Sequence, residues 1–286
     1  MTGGPAAKGH DMRKATLTIL CEDQARMGFL DKKFSGQHGL AVLVELDGGP
    51  TVLLDTGPGP VILDNARLAG KDLARTDLIV ISHGHWDHGD GLPHLAAAGV
   101  RPPLLLHPEA FNDRCRADGL YNGMAMSRDQ AAEAFELRES RDPVHIDDGL
   151  WFLGQVPRNN DFEARSTTFI RRVEGRREPE FLLDDTALAM VTDQGLAVIT
   201  GCSHAGVCNI CDHAMAVTGV DRLHMVLGGF HLLDASEVLD RTVDYMRARN
   251  VPRLCPMHCT AMPAMARFHA EFGCPKLCCG DTVDIP

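Results

Sequence analysis

The segment that most constrains this chain lies at residues 83–88, which read His-Gly-His-Trp-Asp-His. It follows the apolar run 77–82, which is typical of a strand buried on both faces. Gly84 and Gly89 allow the backbone to turn tightly, so the imidazoles and the carboxylate can converge at the end of that strand. Imidazole and carboxylate groups are ligands of divalent zinc, iron and manganese. The motif therefore predicts a metal site at the carboxyl-terminal edge of a sheet.

Charge and hydropathy exclude several kinds of partner. The 286 residues include 28 Lys and Arg against 39 Asp and Glu, which gives a formal net charge of −11. Binding to nucleic acid or to an anionic membrane needs a basic face, so we expect neither partner. Residues 1–14 lack the apolar core of a signal peptide and no apolar run is long enough to span a membrane. We expect a loose leader, a cytoplasmic protein and a small-molecule substrate; the sequence does not define the oligomeric state.

Strand-like and helix-like patterns alternate through the chain. Apolar runs broken by Gly, Asp and Pro predict strands near 15–20, 40–46, 51–55, 77–82, 104–107, 151–156, 186–192, 195–200, 223–229 and 253–257. Helices are expected at about 60–69, 206–217, 235–249 and 261–272, and in an insertion at about 108–140 that a loop at 118–127 interrupts. No linker rich in Pro, Gly or Ser divides the chain. We expect a single domain over residues 15–286 with two β-plus-α halves.

The motif HGHWDH resembles the HxHxDH signature of the metallo-β-lactamase superfamily. Further segments extend the likeness to a branch of metal-dependent hydrolases that are similar to dihydropterin–ribofuranosylaminobenzene phosphate synthase. These segments are LLDTG (53–57), TGCSHAG (200–206), GGFHL (228–232), PMHCT (256–260), HGL (38–40) and GQVPRNNDFE (154–163). The resemblance covers nearly all of residues 15–286. It implies an α/β fold, namely an αββα sandwich of two mixed sheets flanked by helices with a metal site at one edge.

The resemblance also implies a set of metal ligands. The residues that match it, or that we select to complete it, are His83, His85, Asp87, His88, His204 and His258. A typical member has a bridging Asp after a strand that ends in Thr-Gly, but Cys202 occupies that place here. Cys202 is either an additional thiolate ligand or a small buried residue. The sequence is therefore compatible with either one or two bound divalent ions. Zinc is the expected metal, and iron and manganese are the alternatives.

Four side chains are candidates for roles beside the ligands. Asp55 would accept the N–H of a ligating imidazole, or would instead be a turn residue. Asp87 would orient the attacking water or accept its proton, and His231 or Arg158 would contact the substrate and stabilise developing negative charge. His231 is otherwise a structural histidine. The basic stretch 171–177 is more typical of a solvated loop than of a phosphate site.

Three functional classes remain open from the sequence. The residues favour a hydrolase in which metal ions polarise an ester, lactone, amide or phosphoester and generate hydroxide from water. The branch resemblance suggests a transferase that joins a pterin-methyl diphosphate to an aryl-ribose phosphate. A third class is a non-catalytic metal or redox sensor that uses thiols near the pocket, namely Cys202, Cys208, Cys255 and Cys259. The charge of a metal site would favour an anionic substrate, which the sequence does not identify.

Overall fold

The computed structural model of this protein describes residues 14–26 and 33–286. Apart from Lys14, the leader expected at residues 1–14 lies outside the described residues. Within these ranges, short strands and helices alternate along the chain, as the sequence patterns predict. None of the helices found there combines the length and the apolar character that crossing a membrane requires.

The first half of the chain builds most of one sheet and its covering helices. In chain order these elements are β1 (Ala15–Cys21), β2 (Ala41–Leu46), β3 (Thr51–Leu54), α1 (Val61–Leu68), β4 (Leu78–Val80), α2 (Trp86–Gly89), α3 (Leu92–Ala97), β5 (Leu104–Leu106), β6 (Arg114–Arg116), α4 (Arg128–Ala134) and β7 (Leu137–Glu139). Two 3₁₀ turns, Leu73–Arg75 and Pro108–Phe111, lie between them.

The second half builds the other large sheet and its helices. Its elements are β8 (Val144–Asp147), β9 (Leu150–Phe152), β10 (Phe169–Val173), β11 (Arg176–Pro179), β12 (Ala187–Thr192), β13 (Gly195–Thr200), α5 (Val207–Thr218), β14 (Leu223–Gly229), α6 (Glu237–Ala248), β15 (Arg253–Met257), α7 (Met262–Phe272) and β16 (Thr282–Ile285).

These strands form two large sheets and one small one. The first sheet has the order β16-β1-β2-β3-β4-β5-β7, the second has the order β15-β14-β13-β12-β9-β8, and the small sheet has the order β11-β10-β6. Strands β3, β4 and β5 are parallel, as are β13, β14 and β15. The neighbouring pairs β1–β2 and β12–β13 are antiparallel. Both large sheets are therefore mixed.

The alternation of side chains along single strands defines the layers. In β2, Val42 and Val44 pack into the core between the two large sheets, whereas Leu43 packs on the outer face with Ile62 of α1. In β13, Ile199 faces the central core and Val198 packs on the outer face with residues of α5. The layers run helix, sheet, sheet, helix, which confirms the expected αββα sandwich.

The expected helical insertion at about 108–140 is wrong for most of its length. The segment contains a 3₁₀ turn, β6 and β7, and its single α-helix is α4, which Ser127 caps. A tertiary contact opposes the helical composition of this segment. Arg114 in β6 has no solvent exposure, and its guanidinium lies 3.0 Å from the Asp184 carboxylate. Because a buried charge must be paired, this contact holds the chain extended where propensity favours a helix.

The basic stretch 171–177 also differs from the solvated loop that its composition suggests. It forms most of a β10–β11 hairpin, in which Val173 pairs with Arg176. Glu174 and Gly175 make the turn with φ of 48° and 77°, a conformation that suits a two-residue hairpin. Within the hairpin, Arg171 lies 3.0 Å from Glu178. Arg171 and Glu178 are directly opposite each other and have opposite charges, which favours the paired strands, whereas Arg172 lies opposite Arg177 and pairs instead with Asp113 at 3.3 Å.

Candidate metal centre

The candidate site lies at one edge of the sandwich, where parallel strands of both large sheets end. In the first sheet, β3 is followed by Asp55 and the neighbouring β4 by the motif that begins at His83. In the second sheet, β13, β14 and β15 are followed by Cys202, His231 and His258. Because parallel neighbours end at the same edge, these residues meet although they are far apart in sequence.

Three histidines, His83, His85 and His204, form the first ligand group. The His83 Nε2 atom lies 3.0 Å from the His85 Nδ1 atom. The ring of His204 is centred 4.8 Å from that of His83 and 4.9 Å from that of His85. Burial lowers the pKa of all three imidazoles well below the usual value, and positive charge on neighbouring groups lowers it further. The three rings are therefore neutral at pH 7, which is the form that binds a metal ion.

Asp87, His88 and His258 form the second ligand group. The Asp87 Oδ2 atom lies 3.2 Å from His258 Nε2 and 3.8 Å from His88 Nε2. Burial raises the pKa of the Asp87 carboxyl, but the charges of His88 and His258 and a hydrogen bond with His258 outweigh burial and lower it to about 2. Asp87 is therefore an ionised carboxylate at the base of the site.

Cys202 lies between the two ligand groups. Its Sγ atom is 3.1 Å from His88 Nε2, and it clusters with His83 and His88 so that their ligand atoms lie within 4.8 Å of one another. Burial raises the pKa of this thiol well above its usual value. A nearby divalent cation acts in the opposite direction and favours the thiolate. The position thus suits a sulfur ligand shared by the two groups.

A buried carboxylate, Asp55, fixes the rings of two candidate ligands. Its Oδ2 atom lies 2.6 Å from His88 Nδ1 and also accepts the Ser82 hydroxyl at 2.7 Å, while Oδ1 accepts the Ser82 backbone N–H at 2.7 Å. The Ser82 Oγ atom is 3.0 Å from His83 Nδ1. Since the Ser82 proton goes to Asp55, its oxygen accepts the His83 Nδ1–H. Both histidines then direct the lone pair of Nε2 toward the site, as metal-bound histidines usually do.

Asp23 and His38 belong to the site but are absent from the sequence-based set. The Asp23 Oδ1 atom lies 2.8 Å from His258 Nδ1, and its Oδ2 atom lies 3.2 Å from His38 Nδ1. His38 Nε2 is in turn 3.5 Å from Asp87 Oδ2. For His38 the sequence does offer a signal, because the HGL segment at 38–40 is one of the segments that carry the resemblance. In the structure this segment contacts the motif, since Leu40 N donates to the Asp87 carbonyl at 3.3 Å. For Asp23 the only signal in the sequence is its position two residues after β1.

The close approach of the chain at Gly84 leaves no room for a side chain. A Cβ at this position would lie 1.7 Å from the Ala110 carbonyl oxygen. The Gly84 backbone N–H donates to Asp184 Oδ2 at 2.7 Å, and Asp184 also binds the buried Arg114. The backbone between His83 and His85 is therefore fixed by the buried ion pair of Asp184 and Arg114.

Backbone strain concentrates at the strand ends of the site. Four residues have positive φ, namely Asp55 at 58°, Ser203 at 61°, His231 at 47° and His258 at 44°. Such conformations cost roughly 1–3 kcal/mol each and persist where neighbouring groups fix them. Here the Ser203 hydroxyl donates to the Gly229 carbonyl at 2.6 Å, and His258 N donates to Glu22 Oε1 at 3.0 Å. Clustered strain of this kind is typical of functional sites.

The chemistry of these side chains fits a divalent metal ion. The Nε2 atoms of His85 and His204 are buried and have no hydrogen-bond partner within the described part of the chain. Buried polar nitrogens without a partner are costly unless a ligand satisfies them. Neutral imidazoles, an ionised carboxylate and a thiol form a donor set that suits zinc, and its nitrogen and oxygen donors also suit iron or manganese.

A cavity of 610 Å³ opens above both ligand groups. Its lining includes imidazoles and thiols of the site, an aromatic wall of Trp86 and Phe169, and the polar side chains of the segment 116–122. The lining residues are His38, His85, Trp86, Asp87, Arg116, Ala117, Asp118, Asn122, Thr168, Phe169, Cys202, His204, His231, Leu233, His258 and Cys259. The expected substrate contact His231 is among them.

The structure corrects the expectation for Arg158. Its Nη2 atom donates to the carbonyl of Phe181 at 2.5 Å and to that of Leu182 at 2.9 Å. It is absent from the lining of the cavity above the ligands, where the guanidinium belongs to Arg116 instead. Arg158 thus braces a loop, and sequence alone missed Arg116 because it lies in the segment expected to be helical.

Comparison with a model of a known family decides the broader identity. Residues 35–211 match the family described as the metallo-beta-lactamase superfamily. The chain belongs to the metallo-β-lactamase superfamily. The matched residues include the HGHWDH motif, Cys202 and His204. The fold of this superfamily implies divalent metal binding, in agreement with the His, Asp and Cys groups at the sheet edge.

Individual relatives of this metallo-β-lactamase superfamily member agree with that assignment. A 7,8-dihydropterin-6-methyl-4-(beta-D-ribofuranosyl)-aminobenzene-5'-phosphate synthase of Methanocaldococcus jannaschii is 30% identical over 267 residues, covering 88% of this chain and 90% of that protein. An uncharacterised protein of the same organism is 32% identical over 241 residues, covering 83% and 89%. The crystal structure of a metal-dependent hydrolase of the beta-lactamase superfamily has a TM-score of 0.83 at 29% identity, covering 95% and 99%. These likenesses confirm the expected branch.

Replacing Asp55 with Asn should weaken zinc binding about 10–100-fold, because the variant loses the anionic acceptor that orients His88 and, through Ser82, His83. Asn tolerates the left-handed backbone of this position, so the fold should be retained. The dissociation constant for zinc, measured by chelator competition, tests this expectation. Asp64→Asn, at an exposed residue of α1, is the matched control. Equal affinities in the two variants would contradict the orienting role.

Proposed function

We propose that this protein is a metal-dependent hydrolase that cleaves an ester, lactone, amide or phosphoester bond in a small, anionic molecule. The observation that carries the proposal is the arrangement of two ligand groups on either side of Cys202 at the floor of a cavity. Residues that serve only to pack the sandwich would not need unpartnered buried imidazoles, an ionised carboxylate and a shared opening to solvent.

The proposed ligands divide into two sets. His83, His85 and His204 would hold one ion, while Asp87, His88 and His258 would hold a second, with Cys202 as a shared ligand. Divalent ions bound there would polarise the scissile bond and lower the pKa of a bound water to about 7. Zinc is our first choice because the set combines imidazole, carboxylate and thiolate donors.

Asp87 is suited to handle the proton of the attacking water. It is ionised, faces the cavity and lies 3.5 Å from His38 Nε2. A carboxylate in this position would accept a hydrogen bond from the water and orient it toward the substrate. His38, which is more than half exposed, would connect Asp87 to solvent, and Asp23 would hold the His38 ring in place.

The walls of the cavity suggest how a substrate would be bound. Phe169 packs against the rings of His85 and His204 at centroid distances of 4.9 and 5.5 Å and would shield one side of the site from water. His231 lies on the other side of His204, with ring centroids 4.3 Å apart, and would donate a hydrogen bond to developing negative charge. Arg116 at the rim would attract an anionic group.

A second candidate function is transfer rather than hydrolysis. The relative from Methanocaldococcus jannaschii is named as a synthase, and it matches most of both chains. A second cavity of 730 Å³ adjoins the first and shares Leu233, His258 and Cys259 with it, which would provide space for a second substrate. In this alternative the protein would join a pterin-methyl diphosphate to an aryl-ribose phosphate and release diphosphate.

The release of diphosphate distinguishes the two reactions. The metal-loaded protein would be incubated with the pterin-methyl diphosphate alone and then together with the aryl-ribose phosphate. Release only when both are present, together with the joined product, would favour the transferase. Hydrolysis of simple esters or phosphodiesters, with no need for a second substrate, would favour the hydrolase that we propose.

The variant His85→Ala should lose bound metal and turnover together, because His85 would supply one of three imidazoles to the first ion. Metal content would be measured in protein purified without added metal, and turnover with a panel of nitrophenyl esters, phosphomonoesters, phosphodiesters and lactones. His145→Ala, at an exposed histidine of β8 that packs on Trp151, is the control and should match the wild type. Full activity in a metal-free His85→Ala protein would exclude the proposed mechanism.

The variant Arg116→Met should bind inorganic phosphate about tenfold or more weakly in the zinc-loaded protein. A hydrogen bond to a charged group contributes roughly 1.5–3 kcal/mol, and Arg116 provides the guanidinium at the cavity rim. Titration calorimetry measures the dissociation constant. Arg172→Met removes a guanidinium of β10 that pairs with Asp113 at 3.3 Å and should leave phosphate binding unchanged. An equal loss in both variants would indicate a diffuse charge effect instead of a contact.

A further inference from the structure

We propose that Cys202 and Cys259 are a redox-sensitive pair that forms a reversible disulfide and thereby disables the metal site. Among the described cysteines, which are all free thiols, these two both line the cavity above the ligands. The inference that an S–S bond can form depends only on the relative positions of these two cysteines. Its effect on metal binding rests on the function proposed above, in which Cys202 is a ligand.

The backbone brings the two thiols together across a glycine. Cys202 follows β13 and Cys259 follows β15, which are the two neighbours of β14 in the second sheet. The strand between them ends in Gly229, and a Cβ at this position would lie 2.6 Å from Cys259 Sγ and 3.3 Å from Cys202 Cα. A side chain there would separate the two cysteines. Its absence leaves them facing each other above the end of β14.

The remaining gap between the sulfur atoms is small. The two Sγ atoms and a ring nitrogen of His258 lie within 4.8 Å of one another, and Cys259 Sγ is 3.5 Å from the Cys202 carbonyl oxygen. A disulfide bond is about 2.05 Å long, so the sulfurs must approach by roughly 3 Å at most. Rotation about the two side chains together with a small shift of either strand end would provide this movement.

An oxidant can reach the pair from the cavity. Cys259 is partly exposed and lines both adjoining cavities, whereas Cys202 is buried behind it. The Cys259 sulfur would attack a hydroperoxide, which breaks the O–O bond and leaves a sulfenic acid and one molecule of water or alcohol. The Cys202 sulfur would then attack the sulfenic sulfur. The S–O bond breaks, the S–S bond forms, and the hydroxyl leaves as water with the second thiol proton.

The disulfide would compete directly with the metal site. Cys202 Sγ lies 3.1 Å from His88 Nε2, and a sulfur bonded to Cys259 no longer offers a thiolate at that position. Cys259 also adjoins His258 in sequence, so movement of its side chain strains the backbone that carries a second ligand. Because the coupling is reciprocal at equilibrium, a bound ion should stabilise the two thiols against disulfide formation by the same factor by which the disulfide weakens ion binding.

Peptide mapping of the full-length protein after peroxide treatment tests the proposal. Metal-free and zinc-loaded protein would be treated with hydrogen peroxide, alkylated, digested without reductant and analysed by mass spectrometry. We expect a Cys202–Cys259 cross-link that forms faster without zinc and is reversed by dithiothreitol. The zinc affinity of the oxidised wild type should fall at least about tenfold relative to its reduced form. In Cys259→Ser, peroxide should leave the zinc affinity near that of the same variant before treatment.

Cys278→Ser is the matched control, because Cys278 is the other partly exposed cysteine of the described chain and does not line the cavity. This variant should still form the cross-link. Oxidation of Cys259 to a sulfinic acid without a cross-link, or a cross-link that leaves zinc affinity unchanged, would overturn the proposal. Failure of the reduced wild type to bind zinc would refute the proposed function instead, while the metal-free sample would still decide whether the disulfide forms.

Discussion

The carboxylate of Asp55 is the contact on which the candidate site depends. It is fully buried, and a buried carboxylate must be satisfied by hydrogen bonds. Ser82 and His88 provide them, so the same interaction that permits burial also joins the end of β3 to the motif after β4. The orientation of two imidazoles is thereby coupled to the pairing of two parallel strands. Asp55 thus links the candidate ligands to the sheet, since His83 lies in the loop after β4 and His88 lies in the short helix α2 that follows.

Sequence alone predicts those parts of this protein in which the functional residues lie close together in the chain or the hydrophobic pattern is regular. The HGHWDH motif concentrates metal-binding side chains behind an apolar strand, and the long strands and helices of the second half have clear periodicity. The segment 108–140 departs from its helical composition because long-range contacts outweigh local propensity: β6 pairs with β10, β7 pairs with β5, and the buried Arg114 pairs with Asp184. Asp23 and His38 were missed because their role comes from tertiary proximity to His258 and Asp87, which no local pattern records.

The site differs from the common pattern of its superfamily in carrying sulfur where a carboxylate is usual. A carboxylate at that position is charged in the absence of metal, whereas burial keeps the Cys202 thiol neutral. The candidate ligands therefore include three neutral imidazoles and a neutral thiol, and Asp87 is the ionised carboxylate among them. In the proposed centre, Cys202 would lose its proton when the cation binds, and this would make ion binding sensitive to pH.

The spacing of the ligands has a consequence for how the molecule acquires its ion. Four candidate ligands lie within residues 83–88, whereas His204 and His258 join them only after both sheets have paired. The unfolded chain thus already contains a local cluster of ligands, and ion binding to that state reduces the stabilisation that the ion gives to the native state. Because the long-range pairing is slow relative to local contacts, a cation present during folding first meets the incomplete set. The positions of these histidines along the chain would thus determine which part of the proposed ligand set is available to an ion before the sheets have paired.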